Sequence, residues 1–84
     1  MAVKLLVEVW LPAAQRSFDM RIPADVRMGT VNSLAASLAA DLSGGSYRAT
    51  GASVLVNAEN GKIYDINMNA SEQDIKNGTK LILI

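Results

Sequence analysis

The segment "SEQDIKNGTKLILI", residues 71–84, decides the fold. Its last residues alternate, so Leu81 and Leu83 share one face of an extended chain and Ile82 and Ile84 the other. With four consecutive apolar residues, the run reads as a buried strand. Just upstream, Asn77 and Gly78 form a turn signal, because both residue types accept positive φ. Ile75 is the one apolar anchor in the polar connector "NASEQDIKNG", and Ser71 is placed to cap a helical turn through Asp74.

At the other end of the chain, Val3, Leu5, Val7, Val9 and Leu11 alternate with Lys4, Leu6, Glu8 and Trp10. The first set is wholly apolar and predicts the core face of a strand. After "PAAQR" the alternation resumes, with Phe18, Met20 and Ile22 on one face and Ser17, Asp19 and Arg21 on the other. The short polar gap predicts an antiparallel hairpin closed by Pro23, with Asp19 and Arg21 suited to a sheet edge.

From Thr30 the period becomes helical. Val31, Leu34, Ala35, Leu38, Ala39 and Leu42 form one apolar stripe, with Gly29 or Thr30 as N-cap and Gly44–Gly45 as the stop. A helix of about three turns follows, and its alanines let it lie close to a sheet. "SGGSYRATGAS" is an irregular loop. "SVLVNA" and "KIYDIN", residues 53–58 and 62–67, read as two strands joined at Asn60–Gly61. The order is β-β-α-β-β-β, an α+β architecture in which one helix covers one face of the sheet.

Composition narrows the function. The 84 residues suffice for one domain, residues 1–84, with half of them hydrophobic. Eight Lys and Arg balance eight Asp and Glu, so no net charge directs the chain to nucleic acid or anionic lipid. Arg16, Arg21, Arg27 and Arg48 lie on different elements, which argues against a phosphate-binding surface. There is no Cys and no His, hence no thiolate chemistry and no imidazole base or ligand. The acids Asp19, Asp25, Asp41, Glu59, Asp65, Glu72 and Asp74 are scattered among turns and exposed faces. Surface charge is the reading they support. "SGGS" follows a helix, so it presents no helix N-terminal amides to a phosphate. No catalytic residue, cofactor site or metal site is expected. "MAVKLLVEVWLP" is too short and too interrupted by Lys4 and Glu8 to span a bilayer or serve as a signal core, so a cytoplasmic protein is expected.

The element order, and the "SEQDIKNGTKLILI" sequence of polar turn, isoleucine anchor, glycine loop and apolar strand, resemble the ubiquitin-like β-grasp fold. In length and in the ending Asn77, Gly78, Thr79, Lys80, Leu81, Ile82, the chain resembles the bacterial YukD/EsaB proteins. It departs from them in Thr79, where an acid is common, and in its alanine-rich helix. The resemblance implies a cytoplasmic accessory of the type VII (WXG-protein) secretion system that binds proteins, with secretion-machinery components as candidate partners, and is no enzyme. Ubiquitin-like carriers and modifiers act through a terminal Gly-Gly; this chain ends on Leu83–Ile84, so conjugation is not expected. A carrier or modifier, or a small effector subunit of a multicomponent oxygenase, stands as the alternative.

The fold that the resemblance implies has strand order 2-1-5-3-4. Laid onto it, the alternation turns Leu6, Trp10, Leu55, Ile82 and Ile84 away from the helix, bordered by Lys4, Glu8 and Lys80. An apolar strip rimmed by charge on an uncovered sheet is the expected protein-binding site.

Overall fold

The computed structural model describes residues 3–50 and 52–84. Readings that fall on Met1 and Ala2, and on Gly51 in the loop after the helix, lie outside the described residues.

The hairpin forms as expected. Strands β1 (Lys4–Leu11) and β2 (Arg16–Pro23) pair antiparallel, from Lys4 opposite Pro23 to Leu11 opposite Arg16. A single 3-10 turn, Pro12–Ala14, joins them, and Gln15 adopts φ 51° to reverse the chain. Val7, Val9, Leu11, Met20 and Ile22 are buried on one face, as the alternation demands. Val3 is the exception. Its carbonyl accepts the Ala24 N–H at 2.8 Å, but its side chain lies beyond the strand's first residue and is 61% exposed.

Helix α1 (Met28–Leu42) starts before the expected caps, so Gly29 and Thr30 lie inside its first turn. No side chain caps it at Arg27. Instead the Met28 and Gly29 N–H groups donate to the Met68 and Ile66 carbonyls at 2.8 and 3.0 Å, which satisfies orphan first-turn donors with backbone. A Cβ on Gly29 would stand 3.4 Å from the Ile66 carbonyl oxygen, so glycine suits this crossing. The helix stops where expected, with Gly44 and Gly45 at positive φ.

The buried stripe of α1 is Met28, Val31, Asn32, Ala35, Ala36 and Ala39. It is rotated from the expected one, leaving Leu34 and Leu42 exposed. The sheet explains the rotation. It presents the large buried side chains Leu11, Ile22, Leu55, Leu81 and Leu83. Alanines opposite them let helix and sheet approach without voids or overlap.

Strands β3 (Leu55–Asn57) and β4 (Lys80–Leu83) complete a four-stranded sheet in the order β2-β1-β4-β3. β4 runs parallel to β1 and antiparallel to β3. The central placement of the last strand is as expected; the predicted strand at residues 62–67 is not. Only an isolated bridge between Ile63 and Val56 forms there. The buried Gln73 side chain takes the place of a neighbouring strand. It accepts the Asp65 N–H at 2.6 Å and donates to the Asp65 and Met68 carbonyls at 2.8 and 3.2 Å. With the Ile66 and Met68 carbonyls also bound to α1, the segment has no regular set of groups left for a ladder.

The closing segment behaves largely as read. Ile75 is buried and Gly78 has φ 90°. Asn77 does more than turn: its Oδ1 accepts the Leu6 N–H at 2.8 Å, while the Gly78 N–H donates to the Leu6 carbonyl at 2.8 Å. The helical turn is a 3-10 turn, Ala70–Glu72, with Asn69 rather than Ser71 at its cap, and the Asn69 N–H donates to Glu72 Oε1 at 3.1 Å.

Candidate functional site

Side chains directly opposite each other in a ladder point to the same face, so the register maps the uncovered face of the sheet. Trp10 stands beside Ile82, Ile82 beside Val56, and Val56 beside Ile63. These four make a continuous apolar row across three strands and the bridged segment. Trp10 is 41% and Ile63 69% exposed, whereas Ile82 and Val56 are half-buried. A second, shorter row lies alongside: Val54 and Ile84 exchange backbone hydrogen bonds at 3.1 and 3.0 Å, and Ile84 is exposed.

Three expected site residues therefore come together, namely Trp10, Ile82 and Ile84. Leu6 is exposed on the same face but stands apart. Between it and Trp10 runs a charged row in which Glu8 lies opposite Asp19 on one side and Lys80 on the other. Glu8, Lys80, Trp10 and Ser17 line a shallow depression of about 390 Å³ at the boundary of the apolar and charged rows.

Leu55 is the correction. It is 1% exposed, on the helix side, opposite Leu83. Its neighbour Val56 holds the outward position instead. The parity of the strand misleads because Ser53, Leu55 and Asn57 share a face, and two of the three are polar. Both polar residues on the helix side are bonded by tyrosines: Tyr47 Oη bonds the buried Ser53 Oγ at 2.6 Å, and the half-buried Asn57 Nδ2 donates to Tyr64 Oη at 3.0 Å. The Leu55 N–H donates to Asn32 Oδ1 of α1 at 3.1 Å, which fixes the strand's rotation. Val56 and Ile63 are the members of the row that sequence reasoning missed; only the register with β4 identifies them.

Among the described residues, no group of three or more acids is arranged to hold a metal ion, and no helix is long and apolar enough to cross a membrane. The carboxylates and cations of the face, Glu8, Asp19, Arg21 and Lys80, lie along one side of the apolar row.

No protein-family model matches the sequence, and no curated protein matches it. Solved structures do match in shape. The ubiquitin-like domain of the Mycobacterium tuberculosis type VII secretion system protein ECCD1 superposes with TM-score 0.75 at 14% identity, over 98% of both chains. Caldiarchaeum subterraneum ubiquitin gives 0.73 at 10% identity, over 98% of this chain and 92% of that one. A chain of the MycP5-free ESX-5 inner membrane complex gives 0.72 at 17% identity, over 96% of this chain but 20% of that one. The mixed four-stranded sheet with one helix on one face is the ubiquitin-like β-grasp fold, similar to that of a type VII secretion domain.

Proposed function

We propose that this chain, as a single domain, is a protein-binding module acting through the outer face of its sheet, and that it serves as a non-enzymatic, cytoplasmic accessory of a bacterial type VII secretion system. The observation that carries the reading is the row Trp10, Ile82, Val56 and Ile63, apolar across the sheet and edged by Glu8 and Lys80. An aromatic anchor in an apolar centre with a charged rim is the arrangement that concentrates binding energy at protein interfaces. The similarity to the ECCD1 domain and to part of the ESX-5 complex supports the secretion assignment and names the components to test first. Within the reading, Leu83 is buried and Ile84 is held to Val54 by two backbone hydrogen bonds, so this end of β4 contributes surface to the site.

The test is co-purification from native cells with the unchanged chain and with Val56→Asp and Trp10→Ala variants. Secretion-machinery components should be retained by the unchanged chain and by a Ser37→Asp control on the exposed side of α1, and lost from both face variants. Circular dichroism should stay the same for all four proteins. Retention by both face variants would overturn the site. An adenylate or conjugate formed with an activating enzyme and ATP, read by intact mass, would favour the carrier reading.

A further inference from the structure

The two edges of the sheet are finished differently. On β3 three of the four outward-facing groups of Leu55 and Asn57 are taken up within the chain: the Leu55 N–H by Asn32 Oδ1, the Asn57 N–H by the Lys62 carbonyl at 2.9 Å, and the Asn57 carbonyl by the Gly61 N–H at 2.8 Å. On β2 the pairing parity leaves a different result. Leu6 and Glu8 of β1 direct their backbone groups to the β4 side, bonding Asn77, Gly78 and Thr79. Their opposites on β2, Arg21 and Asp19, therefore direct theirs outward, as does Ser17 opposite Trp10. Among the described residues nothing accepts or donates there. An eight-residue edge with proline only at its end is a template for strand pairing.

We propose that this edge is a homodimer interface, in which β2 pairs antiparallel with β2 of a second copy about a two-fold axis at Met20. The occupant is a second copy because the charges are self-complementary in one register. With Met20 opposite Met20, each Asp19 faces Arg21 of the second copy, and each Arg21 faces Asp19. Shifting the register two residues in either direction puts Asp19 opposite Asp19 or Arg21 opposite Arg21. The chosen register also places outward-facing residues opposite one another, so Asp19 and Arg21 exchange both of their backbone hydrogen bonds across the axis.

Each charge also lacks a partner at home. Asp19 lies opposite Glu8, a like charge, and Arg21 lies opposite Leu6. Among the described residues the ion pair within 4 Å is Lys62 with Asp74, far from this edge in the sequence. A groove of about 710 Å³ wraps over the β2 edge, lined by Leu6, Asp19 and Arg21 as well as by Met20, Leu34 and Leu38 of the helix side. Leu34 is 45% exposed there. A two-fold axis perpendicular to the sheet keeps both helices on one face, so Leu34 and Met20 of the two copies close over the seam. The result is one continuous eight-stranded sheet whose outer apolar rows stay open. This interface stands independently of the outer-face reading.

Sedimentation equilibrium of the full chain at low ionic strength tests it. The unchanged protein should associate reversibly to a dimer at concentrations up to about 1 mM. Asp19→Arg and Arg21→Asp each turn two attractive cross-strand pairs into repulsive ones, and should each weaken the dimer on the order of thirtyfold. An equimolar mixture of those two variants should recover association as a heterodimer, and the double variant Asp19→Arg/Arg21→Asp should recover it as a homodimer. Both residues are exposed, so circular dichroism should be unchanged throughout. Three results would overturn the proposal: a monomer at about 1 mM, a dimer indifferent to the single substitutions, or no recovery in either the mixture or the double variant. A monomer whose β2 amide signals shift only with an added foreign peptide would assign the edge to another protein and count against the second copy.

Discussion

Leu55 and Val56 are adjacent in the chain and opposite in environment: Leu55 is 1% exposed beneath α1, and Val56 is half-buried on the uncovered face. The contrast holds for the whole sheet. Its inner face is closed by a helix of small residues fitted against large ones. Its outer face carries comparable apolar side chains with no layer over them among the described residues. Equal hydrophobicity thus serves stability on one side and lies on the proposed docking surface on the other, and substitutions one residue apart should separate the two roles.

The largest effect should come from Leu55→Asp. A charge placed in this site has no partner and no water, so destabilisation of about 4 kcal/mol or more is expected, enough to abolish the folded circular dichroism signal. Persistence of a folded, cooperative protein would mean that β3 can rotate and that the two faces are interchangeable. Gln73→Ala should cost about 2 kcal/mol by leaving the Asp65 N–H unpaired and removing one of the two donors from each of the Asp65 and Met68 carbonyls. Hydrogen exchange at the Asp65 amide should rise while the β1 and β2 amides remain protected. Ala35→Leu, at a fully buried position under the sheet, should cost about 1–3 kcal/mol through overpacking, read as a lower midpoint in urea with an unchanged slope. Val56→Asp should cost only about 1 kcal/mol, because its side chain reaches solvent. It should nevertheless remove partner binding.

How far the sequence discloses this contrast depends on the element. The β1–β2 hairpin was legible because its alternation is uninterrupted and its inner face wholly apolar, so parity and burial agree from Val7 to Leu11. The final strand was legible for a similar reason, with Ile75 as anchor and Gly78 in the turn. Helix position was readable but its rotation was not: the leucines dominate the stripe by hydrophobicity, while the fit against the sheet selects the alanines. β3 inverted the rule, since Ser53 is buried and Asn57 half-buried through hydroxyl partners on Tyr47 and Tyr64, six and seven residues away and outside the strand. Residues 62–67 carry strand-forming side chains, yet their backbone is engaged by Gln73 and by the start of α1. Both failures have one cause. A side-chain hydrogen bond from outside the segment outweighed a local pattern, and no periodicity encodes such a bond. The candidate site inherited this: Trp10, Ile82 and Ile84 sit on legible strands, whereas Leu55 was misplaced and Val56 and Ile63 emerged only from the register.

The lone tryptophan offers a smaller and sharper readout of the outer face. Trp10 is 41% exposed at the end of the apolar row, so partner docking should shift its emission to shorter wavelength. The same partner added to the Val56→Asp variant should leave the emission unchanged.

The most direct test of the outer face as a docking surface is site-specific photo-crosslinking in native cells, with a benzoylphenylalanine at position 56 or at position 37. A discrete covalent adduct from position 56, containing a secretion-machinery component and absent from position 37, is the predicted result. Adducts formed from position 37 and none from position 56 would contradict it.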